Sequence, residues 1–146
     1  EMLRSLVGSE MCIRDRDEIV LVVPEGHELA KYKAISIRLL KDIPLIMLDS
    51  TYQIYDNVMR AFNRAGIEPN IIALSKSWDY IVELVRLSHG ITILPKPILK
   101  KTQGLVAVPF IEPFSKWQIV AITKKGEYIP ARVENMINYF QKIYKK

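Results

Sequence analysis

The sequence has little of what most chemistry needs. Cys12 is the one cysteine among 146 residues, so neither a disulfide framework nor a multi-cysteine metal site forms within the chain. The two histidines, His27 and His89, have no second ligand at metal spacing, and no metal or cofactor is expected. The chain contains no G-x-S-x-G for acyl transfer, no G-x-x-x-x-G-K-[ST] phosphate loop and no H-E-x-x-H zinc helix. No residue is therefore named as catalytic, and the chain reads as a non-enzyme. No apolar run approaches the roughly 20 residues needed to span a bilayer, and the amino end lacks the charged-then-apolar pattern of a secretory signal. The expectation is a cytoplasmic protein with no membrane partner.

What is present is ordinary globular material, 49% hydrophobic and 25% charged, enough for one domain with a sizeable core. The net charge of +5 is spread as lysine pairs at Lys100-Lys101, Lys124-Lys125 and Lys145-Lys146, each near an expected turn or chain end. No basic run is interleaved with aromatics, so the charge reads as solvated surface rather than a nucleic-acid footprint. Residues 1–16, EMLRSLVGSEMCIRDR, keep no sustained period of 2 or 3.6. From Leu6 to Arg16 they resemble mistranslated sequencing-adapter DNA. They are set aside as a non-native segment, with the natural sequence expected from about Asp17.

From Glu18 the pattern is regular. Ile19-Val20-Leu21-Val22-Val23 is a β-branched apolar run stopped by Pro24, as for a strand buried on both faces. A second strand is expected over 44–48, and Asp49-Ser50-Thr51 then opens a helix to Ala65. There Ser50 and Gln53 have capping-box spacing. Ile54, Tyr55, Val58, Met59 and Phe62 form one apolar stripe, and Gly66 ends the helix. The unit repeats: a strand over 70–74, the turn Ser75-Lys76-Ser77 with Ser77 capping a helix over 78–88, and a strand over 91–94 halted by Pro95. A short helix starts at Pro97 and closes at Gly104. Strands over 105–108 and 117–123 and a last helix from Pro130, with the stripe Val133, Met136, Ile137, Phe140 and Ile143, complete the chain. Such alternation predicts an α/β fold, a mostly parallel sheet with flanking helices. The final strand, after an irregular stretch, is free to return antiparallel.

In order and spacing these signals resemble a family. Leu21-Val22-Val23-Pro24-Glu25-Gly26-His27-Glu28-Leu29-Ala30 is similar to an "lvvp-x-x-H-x-L-A" segment. It is followed by Leu39-Leu40-Lys41-Asp42-Ile43-Pro44-Leu45-Ile46, Gly66-Ile67-Glu68-Pro69, Gly90-Ile91-Thr92-Ile93-Leu94-Pro95 and Leu105-Val106-Ala107-Val108-Pro109. Residues 18–146 resemble the carboxy-terminal part of the effector-binding region of LysR-type transcriptional regulators. The resemblance implies a periplasmic-binding-protein-like regulatory domain of two α/β lobes, with a small effector held in the cleft between them. It implies residues 24–116 as the second lobe, 18–24 and 117–123 as crossover strands, and 124–146 as a remnant of the first lobe. DNA would be reached only through an absent amino-terminal winged helix-turn-helix, and the full-length protein would be a homo-oligomer. The family often carries a glycine where this chain has Ser88, which leaves the local turn geometry open. The alternative is a solute-binding protein of a transport system, which uses the same two-lobed cleft.

Ligands of open α/β sheets sit beyond the carboxyl ends of the strands. Two loops there run into helix amino termini, whose unpaired N–H groups suit carboxylates, phosphates or sulfate. The effector-binding candidates are accordingly Asp49, Ser50, Thr51, Ser75, Ser77 and Trp78. The hydroxyls supply hydrogen bonds and Trp78 an apolar wall, and a small anionic metabolite is expected. Ser50 and Ser77 also read simply as helix caps, Trp78 as packing, and Asp49 would repel an anion. Lys76 reads equally as solvated surface or as a counter-charge.

Overall fold

In a computed structural model of the chain, residues 9–144 are described apart from 113, 115, 116, 125 and 127. The first eight positions of the segment set aside above, the Lys145-Lys146 pair, Lys125, and the side chains of Cys12 and Ile143 lie outside the described residues. The chain divides into two compact units, Glu18–Lys116 and a unit made of Glu1–Asp17 with Trp117–Lys146.

The larger unit is built on β2 (Ile19–Pro24), every residue of which is buried. The apolar run allows this because both its faces and both its edges are covered. It pairs antiparallel with β5 (Thr92–Pro95) on one side, Val20 opposite Leu94. On the other side it pairs antiparallel with β6 (Leu105–Pro109), Val22 opposite Ala107. The strand expected as a crossover is thus the centre of a three-stranded sheet. Next, β3 (Leu45–Leu48) runs parallel to β4 (Ile71–Ser75), with an irregularity between Leu45 and Ile46. β3 joins β5 through a parallel bridge, Leu45 to Ile91, with Ile46 N–H donating to Ile91 O at 2.8 Å and Ile91 N–H to Pro44 O at 2.9 Å. The sheet is therefore mixed, not simply parallel: β5 and β6, reached only after many further residues of chain, both run antiparallel to β2, which strand–helix alternation alone did not indicate.

Helix α1 (Gln53–Ala65) buries Ile54, Val58 and Phe62, three positions of the expected stripe. It ends where Gly66 takes φ +69°, its N–H bonded to Asn63 O and that of Ile67 to Phe62 O. Helix α2 (Trp78–Arg86) buries Ile81, Val82 and Val85 and packs on β2 and β3. It closes with the same geometry: Ser88 N–H bonds Val85 O, His89 N–H bonds Leu84 O, and Ser88 sits at φ +60°. This is the glycine position of the closing motif, so Ser88 resolves the open turn by adopting a left-handed backbone that L side chains disfavour. Ser88→Gly is therefore expected to raise stability by about 1 kcal/mol, read as a higher urea midpoint with an unchanged slope.

Chain exit from β6 is fixed by a second feature the sequence did not reveal. Ile35 bridges Phe110 in parallel, and the Glu112 carboxylate accepts from the Ser36 hydroxyl and, at 3.1 Å, from Ile37 N–H. It thus caps the 3-10 turn Ile37–Leu40. Burial pushes the Glu112 carboxyl up. The bonds from Ser36, from its own N–H and from Ile37, with the Arg38 charge, outweigh burial and hold it below its ordinary value. A depressed folded-state value stabilises above the unfolded-state value and stops doing so as pH falls through the folded one. The urea midpoint of the chain is therefore expected to drop further between pH 6 and pH 3.5 than that of Glu112→Gln, and parallel curves would contradict the capping role.

In the smaller unit, β1 (Ser9–Asp17) pairs antiparallel with β7 (Trp117–Lys124), Cys12 opposite Ala121 and Asp17 opposite Trp117. Residues 9–16, set aside on their lack of period, thus form most of a strand whose partner is the strand expected over 117–123. Helix α3 (Ala131–Tyr144) packs on β1, with Val133, Ile137 and Phe140 half-buried and Met136 exposed.

Candidate functional site

The parallel pairing of β3 and β4 decides where the six candidate residues lie. Leu48 stands opposite Ser75, and Asp49 N–H continues the ladder to Ser75 O at 3.1 Å. The two strand-to-helix loops therefore leave the sheet side by side, bringing Asp49, Ser50 and Thr51 to the same end as Ser75, Ser77 and Trp78.

The first loop is a side-chain turn. Asp49 accepts from Thr51 N–H at 3.0 Å and from the Thr51 hydroxyl, the local bonding that makes aspartate a turn former. The Thr51 hydroxyl holds the Asp49 carboxyl below the usual carboxylate range, with partial desolvation opposing and the Thr51 N–H and Lys76 charge assisting. Because Asp49 takes the Thr51 N–H, and its carbonyl takes that of Tyr52 at 3.1 Å, the helix starts later than expected. The cap position of α1 is Tyr52, with no side-chain cap bond. The capping box of Ser50 with Gln53 is therefore not formed, and Ser50 is exposed beside the turn.

The second loop follows its sequence closely. Ser77 is the cap of α2, its hydroxyl accepting from Tyr80 N–H at 3.4 Å. The Ser75 hydroxyl accepts from Ser77 N–H at 3.1 Å. Trp78 is the first helical residue and is 47% exposed.

Tyr52 is the residue the sequence did not single out. Its phenolic hydroxyl donates to Lys76 O at 2.8 Å, tying the start of one helix to the loop before the other. An aromatic at a helix entry carries no pattern by which this could have been anticipated. Elsewhere, a surface depression of about 530 Å³ is lined by Glu28, Leu29, Lys31, Tyr32, Leu39 and Ile43 and shares no residue with these loops. Among the described residues, no group of three or more His, Cys, Asp or Glu side chains is placed to hold a metal ion. None of the described helices is long and apolar enough to cross a membrane.

With this geometry in hand, comparison with known proteins is decisive at the family level. The model of the LysR substrate binding domain matches residues 13–144. The chain belongs to this family. It is the effector-binding portion of a LysR-type regulator, and its relatives are transcriptional regulators rather than enzymes or transport receptors. The HTH-type transcriptional regulator YwbI of Bacillus subtilis is 30% identical over 116 residues, covering 78% of this chain and 38% of that protein. The LysR domain thus spans between 23% and 40% of the length of the curated relatives it matches. Among solved structures, the effector binding domain of QuiR in complex with shikimate superposes with a TM-score of 0.79 at 24% identity, covering 95% of this chain and 66% of that one. The regulatory domain of CcmR from Synechocystis PCC6803, in complex with 2-PG, gives a TM-score of 0.85 at 18% identity over 94% of this chain and 68% of that one. At these identities the structural likeness speaks to the fold.

Proposed function

We propose that this LysR domain binds a small anionic metabolite at the loops Asp49–Thr51 and Ser75–Trp78, and that it relays occupancy to a DNA-binding segment elsewhere in the regulator. The observation that carries the reading is the side-by-side emergence of these loops, each entering a helix. First-turn N–H groups of a helix lack intrahelical acceptors and carry partial positive charge. The Lys76 ammonium is near enough to act on the Asp49 carboxylate, and its positive charge offsets part of the repulsion that the ionised Asp49 offers an anion. Trp78 supplies an exposed ring beside them. Support also comes from two structural neighbours, one in complex with shikimate, a carboxylate, and one with 2-PG.

In this reading the domain is not a catalyst. Effector affinity differs between two conformations and shifts their populations by no more than that difference. The regulator is a cytoplasmic homo-oligomer, and residues 24–116 with β2 make up the ligand-bearing lobe. The test is calorimetric titration of the chain with a panel of small carboxylates that includes shikimate. Heat and a thermal shift with acids are expected. Silence with every acid, alongside binding of a neutral or cationic compound, would overturn the anionic assignment.

A further inference from the structure

The peptide unit joining Lys76 to Ser77 is held from both ends. Its carbonyl accepts from the Tyr52 hydroxyl at 2.8 Å, across 24 residues of sequence. Its N–H donates to the Ser75 hydroxyl at 3.1 Å. A peptide is a rigid plane, so fixing its oxygen and its hydrogen fixes the direction in which the chain enters α2. That direction sets where the Ser77 hydroxyl caps Tyr80 N–H and where the Trp78 ring and the first-turn N–H groups point. The Ser75 bond is local and travels with the loop. The Tyr52 bond is different: it refers the loop to the start of α1, immediately after the Asp49 turn that accepts from Thr51. Without it, the two loops share one backbone bond, Asp49 N–H to Ser75 O, which lies at the sheet end and leaves the turn beyond it free to tilt.

We infer that Tyr52 is a positioning residue that locks the Ser75–Trp78 turn to the entry of α1, so that the two effector loops present their donors as one preorganised surface. This rests on the ligand site proposed above, but its first consequence is mechanical and is measured without a ligand. Preorganisation raises affinity by lowering the ordering cost of binding.

Tyr52→Phe keeps the ring and removes only the hydroxyl. In the free chain, hydrogen exchange of the Ser77 and Tyr80 amides is expected to quicken by roughly fivefold, the worth of one neutral hydrogen bond. Because the same bond is lost from the native state relative to the unfolded one, the thermal midpoint is expected to fall by the few degrees one such bond is worth, while backbone order parameters fall at Lys76 to Trp78 and stay as they are at Val20 to Val23. Ser75→Ala removes the other hold on the same peptide. The double variant is expected to exceed the product of the two single effects, since each bond protects what the other would release. Unchanged exchange at Ser77 and Tyr80 in Tyr52→Phe overturns the inference. So does an equal fall of the order parameters in β2, because that is general loosening rather than loss of position. Shikimate titration separates this claim from the site itself. Failure of the unsubstituted chain to bind any acid removes the proposed ligand, whereas the exchange result still decides whether Tyr52 positions the loop. Where an acid binds, Tyr52→Phe is expected to weaken it several-fold at a temperature where both forms are fully folded, and equal affinity in both forms counts against the inference.

Discussion

Replacing Gly90 by alanine is expected to destabilise the larger unit by about 3 kcal/mol, the upper end for overpacking a close-packed site. A Cβ at Gly90 would lie 2.8 Å from Pro44 O and 3.2 Å from both Cγ1 and Cδ1 of Ile46. The Ile46 side chain could turn away only within a core where it is 1% exposed. The Pro44 carbonyl is less free still, because it accepts from Ile91 N–H in the seam that joins β3 to β5. Relief of the clash therefore requires opening that seam, and the cost falls on backbone hydrogen bonds as well as packing. The measurement is the urea midpoint followed by far-ultraviolet circular dichroism. A midpoint unaffected by the substitution would show that the seam is more yielding than this packing implies.

Phe62→Ala should cost somewhat more, about 4 kcal/mol. Phe62 is fully buried at the last buried position of the stripe Ile54, Val58 and Phe62, by which α1 turns its apolar face inward. Its helix packs on β3 and on the turn Ile37–Leu40, so an emptied site borders the sheet from which the loops after β3 and β4 emerge. Its own carbonyl also receives the Ile67 N–H that closes the helix at Gly66, and collapse into the cavity would pull on that cap. For a chain of this size such a loss is a large share of total stability. The expected outcome is an early, broadened transition. Phe62→Leu, which keeps most of the volume, should recover more than half of the loss, and an alanine variant that unfolds at the parental midpoint would contradict the packing described.

These substitutions also mark what the sequence made legible. The stripe of α1 and the run of β2 could be read because period and burial are direct consequences of one another: both faces of β2 are covered, so all six of its residues are buried. Ser77 was legible as a cap because a serine before a helical period has few other local uses, and it does accept from Tyr80 N–H. Strand direction was not legible, since a buried strand looks the same whether its neighbours run with it or against it, and β2 proved antiparallel to both. Nor was the segment Ser9–Asp17, whose composition shows no alternation although it pairs along its length with β7. The capping box at Ser50 failed because Asp49, one residue earlier, holds Thr51 N–H with its carboxylate and Tyr52 N–H with its carbonyl, which delays the helix until after Tyr52. Tyr52 and Glu112 act across 24 and 76 residues of chain, and no local pattern encodes a partner so distant.

The central claim, that the loops after β3 and β4 receive the effector, is tested most directly by mapping backbone amide shifts of the isotopically labelled chain as shikimate is added. The account predicts that the largest saturable shifts fall on Ser50, Thr51, Ser77 and Trp78, with the β2 amides unmoved. Shifts centred instead on Leu29, Tyr32 and Leu39, around the surface depression, would contradict it and place acid binding on a different face of the domain.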